Sequence, residues 1–406
     1  MPRINGERLI ADLRTFSTFG KYQTGVDRVA LSAEDIEARR WLCGKLKEIE
    51  LDARMDRYGN VVGIDPKVQK SILIGSHSDT VPRGGWLDGA LGVIYGLEIA
   101  RGWRESGETA PIGVDVVSFS DEEGTYLPCL GARSFCGVLN DDDIAAARSK
   151  SGTLLTHSLA AIANESPLLH LDRQRHIAFL EAHIEQGPRL ETSGIKVGVV
   201  TAIVGIRRFR VTAFGQADHA GTTPISMRKD AAAVLFNLAV KIEKEFPKLG
   251  GSDTVWNIGT FSLQPGAANV VPSQAEMTLE FRDTKIATLN RLEHSFMQWV
   301  ADISRGKVKV EAVPTARIIP AEMSAQLGAA LTEAAIENGD QPLSMPSGAG
   351  HDAMFLTAQI PSAMMFIPSI GGRSHDITEN TADTDIVFGC QVMADATRKL
   401  IRSLVH

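Results

Sequence analysis

The sequence predicts an α/β protein, with a mostly parallel sheet carrying helices on both faces and a smaller α+β unit inserted into it. Three observations predict this. Apolar runs of strand length alternate with helical periodicity up to about residue 205. The pattern then changes to strict period-two alternation, and from about 320 the first pattern returns. At 406 residues the chain exceeds one typical core, so about two domains are expected.

The elements follow in order. Residues 31–50 carry Leu31, Ile36, Trp41, Leu42, Leu46 and Ile49 at helical spacing. Val61-Val62-Gly63-Ile64 and Ser71-Ile72-Leu73-Ile74-Gly75 read as strands, the second running into Ser76-His77-Ser78-Asp79-Thr80. A helix is expected after Asp88, where Ala90, Leu91, Val93, Ile94, Leu97 and Ile99 form an apolar face. A strand at 113–119, a helix-rich stretch at 140–165 and a strand at 177–184 continue the alternation. From Arg207 to Phe214 residues alternate as in a strand buried on one face. A helix at 226–246, strands at 254–263 and 275–282 and a helix at 286–303 complete a strand-helix-strand-strand-helix unit. The insert is therefore placed at 206–318, and 1–205 with 319–406 form the first domain, ending on helical pattern and a strand at 362–367. There is no repeat, low-complexity tract or long linker.

Composition narrows the class. With 44% hydrophobic and 22% charged residues the chain reads as globular and soluble. A net charge of −7 and the lack of a basic run argue against nucleic acid and anionic membrane as partners. No apolar stretch reaches the roughly 20 residues that span a bilayer. The start, Met1-Pro2-Arg3-Ile4-Asn5-Gly6-Glu7, lacks an apolar signal core, which argues against secretion. Cys43, Cys129, Cys136 and Cys390 form no CxxC pair and fit reduced thiols in a cytoplasm.

Candidate chemistry gathers where strands end. Ser118-Phe119-Ser120-Asp121-Glu122-Glu123-Gly124 places adjacent acids after an apolar run, and open α/β sheets bind ligands at the carboxyl ends of their strands. A solvated acidic turn looks the same, and the segment alone does not separate the two. His77 and Asp79 lie two apart at another strand end, where Asp79 could fix the tautomer of a ligating His77. Asp88 opens the next helix, a position that also suits a simple N-cap. His183 ends the run in Glu181-Ala182-His183-Ile184-Glu185-Gln186-Gly187-Pro188, and His375 follows the last strand in Gly371-Gly372-Arg373-Ser374-His375-Asp376. Any one of these histidines alone reads as a satisfied polar residue. Together, imidazoles and carboxylates without nearby thiolates suit Zn²⁺, Mn²⁺ or Co²⁺. His77, Asp88, Glu123, His183 and His375 suffice for two ions if Asp88 bridges, with Glu122 left to carry a proton.

The motifs resemble those of the M20-type, metallopeptidase-related amidohydrolases grouped as hydantoinase/carbamoylase enzymes. That group includes N-carbamoyl-L-amino acid hydrolases, β-ureidopropionase, allantoate amidohydrolase and ureidoglycolate amidohydrolase. The resemblance runs the length of the chain, through Asn5-Gly6-Glu7-Arg8-Leu9, Asp56-Arg57-Tyr58-Gly59-Asn60, Gly75-Ser76-His77-Ser78-Asp79-Thr80-Val81, Leu87-Asp88-Gly89-Ala90-Leu91-Gly92-Val93, the acidic segment, His183 to Pro188, and Ser374-His375. It implies His77, Asp88, Glu123, His183 and His375 as ligands of two divalent metal ions, zinc first, with manganese or cobalt as alternatives. It implies Glu122 as the general acid/base and Asp79 as the partner of His77. It also implies substrate contacts from Gln186, His219, Asn269 and Arg282, the last two gripping a carboxylate. His219, in Asp218-His219-Ala220-Gly221-Thr222-Thr223-Pro224, matches an oxyanion-stabilising residue lent by the lid of a partner subunit, so the insert is implied to be a lid and dimerisation domain of a homodimer. A guanidinium fork suits a planar carboxylate, so Arg282 also points physically to an anionic substrate. On position alone, Arg282 could be a strand-edge surface residue and Asn269 a turn residue. His351, in Gly350-His351-Asp352-Ala353, is read as part of the site wall and not as a ligand. Arg228 is kept as a lid-packing or substrate candidate.

Three departures bear on substrate: Asp376-Ile377-Thr378-Glu379-Asn380 follows Ser374-His375 where many carbamoylases have a Pro and a Glu, Glu280 stands where Asp is common, and Ala132 where Ser is usual. The expectation is a dinuclear metal-dependent amidohydrolase of a small anionic N-carbamoyl (ureido) amino acid, yielding amino acid, CO2 and ammonia. The rivals are an aminoacylase or dipeptidase on the same metals, and a non-catalytic small-molecule binding protein that has kept the fold.

Overall fold

The computed structural model describes residues 3–108 and 110–405. The chain forms two compact units, Met1–Thr201 with Met323–His406, and Ala202–Glu322; the sequence pattern puts these edges at 206 and 318.

The first unit opens with α1 (Gly6–Phe16), β1 (Lys21–Tyr22), β2 (Gly25–Val26), α2 (Ala33–Glu48), β3 (Asp52–Met55), β4 (Val61–Ile64) and β5 (Lys70–His77). It continues with α3 (Ala90–Glu105), β6 (Ile112–Phe119), α4 (Leu130–Phe135), α5 (Asp141–Ala146), α6 (Leu155–Leu159), β7 (His176–Ile184), α7 (Arg189–Ser193) and β8 (Gly198–Ile203). The second unit holds β9 (Gly205–Phe214), α8 (Ala231–Leu249), β10 (Val255–Gln264), β11 (Gln274–Asp283), α9 (Ile286–Ser304) and β12 (Lys309–Ile318). After β13 (Ala321–Glu322), the chain adds α10 (Ala325–Glu337), β14 (Leu343–Ser347), α11 (Ala353–Leu356), β15 (Ser362–Ile367) and α12 (Asp383–Val405).

The nine-stranded sheet runs β13-β8-β15-β7-β5-β6-β4-β3, with β14 beside β8. Its centre is parallel, since β15 pairs β7, β7 pairs β5 and β5 pairs β6 in the same direction. The flanks, β4 on β6, β3 on β4 and β8 on β15, are antiparallel. All residues of β6 and β15 are buried, as are all but the first of β5, so both faces of the centre are covered. This explains their near-continuous apolar sequence. Ile72, Ile74, Leu91, Ile94, Val116, Leu180 and Met365 lie in the resulting core.

The second unit is a four-stranded antiparallel sheet, β10-β11-β9-β12, packed on α8 and α9. β9 and β11 alternate buried and half-exposed residues, as expected for one covered face. Phe209 and Phe296 pack at 5.1 Å and Phe246 and Phe281 at 5.3 Å in its core. Two differences from the expected elements have local causes. The helix predicted from 226 begins at Ala231, because Asp230 caps it by accepting from the Ala232 and Ala233 N–H groups. β12 is an additional strand, hidden in the sequence by Pro314 and a register shift between Pro314 and Ala316.

Candidate metal centre

Four strand ends and one helix start of the first unit converge. β5 ends on His77, β6 runs into Asp121-Glu122-Glu123, β7 carries His183, and the loop after β15 carries His375. Asp88 lies just ahead of α3, whose N-cap is Gly89 with no side-chain cap bond. Asp88 therefore does not cap its own helix. Its carboxylate turns to the imidazoles: Oδ1 is 3.3 Å from His77 Nε2 and 3.1 Å from His183 Nε2, while Oδ2 is 3.4 Å from His375 Nε2. Glu123 Oε1 lies 3.4 Å from the same His375 nitrogen and is buried without a hydrogen bond among the described residues.

Two groups result, His77-Asp88-His183 and Asp88-Glu123-His375, and within each the ligand atoms lie within 4.8 Å of one another. Ligand atoms about 2.1 Å from a tetrahedral ion are about 3.4 Å apart, which matches these separations. The outer nitrogens are already committed. His77 Nδ1 is 3.0 Å from the Asp79 carbonyl and His183 Nδ1 is 2.9 Å from the Ile184 carbonyl. Donation there leaves each Nε2 lone pair turned inward for a metal. The Gly89 N–H, 3.2 Å from His183 Nε2, meets the same lone pair. The donor chemistry of both groups, imidazole nitrogens and carboxylate oxygens, fits divalent metal ions.

Charge follows the same pattern. Burial pulls the His77 imidazole down, but Glu122, Asp88 and Asp79 outweigh it and hold it well above the usual value. Burial disfavours the Asp88 carboxylate, yet His183, His375 and His77 hold it well below its usual range. Burial and Asp88 push Glu123 up to about 7. Glu122 belongs to neither ligand group; its Oε2 is 3.7 Å from His77 Nε2, and burial drives its carboxyl well above the usual range against the pull of His77.

Asp79 contacts His77 through its backbone and not mainly its carboxylate, which is 3.9 Å from Nδ1. The carboxylate instead accepts from the Glu122 and Glu123 N–H groups at 3.4 and 3.3 Å, and so orients the acidic turn. Behind it stands Arg39, fully buried, 3.5 Å from Asp79 and bonded to Asp35 at 2.9 Å. Arg39 does not stand out in the sequence, because an Asp35–Arg39 spacing of four on a helix ordinarily marks a surface pair. Gln186 donates to Asp88 Oδ2 at 2.8 Å and approaches Ser374 Oγ at 3.3 Å. His351 is in neither ligand group; its ring packs edge-on to His183 at 4.6 Å and its Nε2 meets Ser347 Oγ at 2.9 Å. Asp121, Gln186 and His375 all hold positive φ, of 54°, 59° and 56°, so left-handed backbone clusters around this centre.

The remaining candidates lie in the second unit. His219 bridges Val270, and the Ala220 N–H donates to the Asn269 carbonyl at 2.9 Å, which brings the His219 and Asn269 loops together. Arg228 braces that loop by donating to the Thr223 and Ala220 carbonyls. Arg282 projects from β11 and pairs with Glu280 at 2.7 Å, and the same Glu280 bonds Arg208. The Glu in place of the commoner Asp thus links two guanidinium groups.

Residues 73–399 match the family model for peptidase family M20/M25/M40. The chain is 32% identical over 412 residues to the N-carbamoyl-L-amino-acid amidohydrolase of Paenarthrobacter aurescens, covering 99% of this chain and 100% of that one. It is 34% identical over 390 residues to the allantoate amidohydrolase of Escherichia coli K12, covering 93% and 94%. The crystal structure of an amidase of the hydantoinase/carbamoylase family from Burkholderia phymatum superposes with a TM-score of 0.93 at 44% identity, covering 100% of this chain and 99% of that one.

Proposed function

The chain belongs to peptidase family M20/M25/M40, and from that premise we propose that it is a two-metal amidohydrolase of a small, anionic N-carbamoyl (ureido) amino acid. It is a hydrolase of C–N bonds outside ordinary peptides, as its amidohydrolase relatives are. The observation that carries the finer reading is the pair of ligand groups sharing the two oxygens of Asp88. Zinc is the first choice of ion, and manganese and cobalt suit the same donors.

His77, Asp88, Glu123, His183 and His375 would hold the divalent ions, whose Lewis acidity would polarise the substrate carbonyl and lower the pKa of a water molecule. Glu122 takes a proton from the attacking water and delivers it to the nitrogen as the C–N bond breaks. The freed carbamic acid then falls apart to CO2 and ammonia. Asp79 keeps Glu122 and Glu123 in their separate roles by holding both backbone N–H groups. Asn269 and Arg282 hold the substrate carboxylate, Gln186 contacts the substrate beside Asp88, and His219 of the lid stabilises the oxyanion in the partner subunit.

A homodimer is supported by the edge of the second unit. β10 lacks charged residues and exposes Phe261 and Leu263, each 37%. Phe236 of α8 stacks on Phe261 at 4.9 Å and, with Val240, is half exposed. The opposite edge, β12, is blunted by Lys309, Glu311, Arg317 and Pro314, so β10 is the edge left open to a second copy. Among the described residues no helix is long and apolar enough to cross a membrane. The four cysteines are unpaired, which supports a reducing, cytoplasmic setting.

The test is a substrate panel for metal-reconstituted protein. Ureido acids should release ammonia and CO2, whereas N-acetyl and N-formyl acids should turn over far more slowly. Faster turnover of the acyl acids would make the protein an aminoacylase. No turnover by metal-loaded protein would leave only a binding role.

A further inference from the structure

We infer that Glu379 is a positioning residue of the metal centre, holding the turn that presents Asp88 and tying it, through Ser374, to the loop that presents His375. The inference rests on the two-metal reading above.

Glu379 is 1% exposed. Its Oε1 accepts from the backbone N–H groups of both Leu87 and Asp88 at 3.0 Å. Its Oε2 lies 2.9 Å from Ser374 Oγ, and that hydroxyl lies 2.8 Å from Asp88 Oδ2. One side chain therefore meets the backbone of a shared ligand and, one atom further on, the side chain of the same ligand and the neighbour of another. The mount is firm. Asn380 accepts from the Ile370 N–H at 2.9 Å, and the Thr381 hydroxyl donates to the Pro368 carbonyl at 2.7 Å. Space for the carboxyl exists because residue 85 is glycine; a Cβ there would lie 1.9 Å from the carboxyl carbon.

The two ligand groups do not depend on this strap equally. His77 and His183 are almost fully buried on strand ends, whereas the His375 side chain is 49% exposed on a loop. Loosening the strap should release the ion of the Asp88-Glu123-His375 group first. Hydrogen counting separates the strap from a mere charge. Ser374 has one hydroxyl hydrogen and two carboxyl oxygens in reach, so it serves only one of them. An amide at 379 keeps the acceptor for the Leu87 and Asp88 N–H groups and offers its NH2 to Ser374 Oγ. That leaves the hydroxyl hydrogen for Asp88.

Zn²⁺ is titrated into chelator-stripped wild type, Glu379→Gln, Glu379→Ala and Ser374→Ala, with affinity read by competition with a chromophoric chelator and folding by circular dichroism. Wild type should take two equivalents. Glu379→Gln should match it within about threefold, while Glu379→Ala should bind the second equivalent about 10- to 100-fold more weakly. Wild-type affinity in Glu379→Ala overturns the inference, as does equal weakening in Glu379→Gln, which would make charge the function. If Glu379→Ala does not fold, Ser374→Ala decides: a weaker second equivalent supports the strap and unchanged affinity overturns it. Wild type that takes up no metal defeats the two-metal reading itself, and the inference with it, before any variant is compared.

Discussion

Asp88 turns one oxygen toward His77 and His183 and the other toward His375, and the proton balance of the centre follows from that company. The hydrogen bond to Asp88 pushes His375 up to about 9 despite burial, and His77 and His183 are raised as well. A metal ion must displace such protons. His375 keeps its proton up to about pH 9, so its competition with the metal strengthens as pH falls and fades above that value. Zn²⁺ affinity of stripped protein should therefore climb between about pH 6 and 8, by about tenfold per pH unit for each proton displaced. Chelator competition across that range checks this, and a flat profile contradicts it. Arg39 offers a second test at the same scale. It is the buried cation between Asp35 and Asp79, and it also donates to the Gly59 and Phe119 carbonyls at 2.9 and 3.0 Å. Arg39→Met leaves two carboxylates buried without their partner and should cost about 3–5 kcal/mol, seen as a lower melting temperature of the stripped protein.

At the scale of elements, the β5–α3 turn decides whether His77 and Asp88 can meet. Gly89 sits at φ +64°, and a Cβ there would lie 2.4 Å from the His77 ring. Gly89→Ala should leave a folded protein whose metal affinity drops about 10- to 100-fold, measured by metal content after dialysis. Unchanged content would show that the turn has slack. The same turn shows what was legible in the sequence. β5, β6 and β15 were readable because both faces of the central sheet are covered and their residues are apolar almost throughout. The strand ends then put His77, Glu123 and His183 in view. β12 was not readable, because Pro314 and a bulge break its pattern. Glu379 and Arg39 were not readable as site residues either. Glu379 meets Asp88 across 291 positions, and Arg39 sits in a helix whose charges look solvated.

For the whole molecule, the open β10 edge and the paired Phe236 and Phe261 rings should seat a second copy. A Phe236→Asp, Phe261→Asp variant should elute as a monomer in light-scattering chromatography, and, on the proposal that His219 is lent across a dimer, should lose turnover while keeping its metal. A dimer that survives both changes places the interface elsewhere. In the acidic turn after β6 we propose that one carboxyl holds metal and its neighbour carries the proton. Metal content and ammonia release of Glu122→Gln beside Glu123→Gln test it most directly. Glu122→Gln should keep two ions and lose about 10²–10⁴ in kcat, whereas Glu123→Gln should lose an ion. Loss of metal in Glu122→Gln, or full turnover in it, would contradict the assignment.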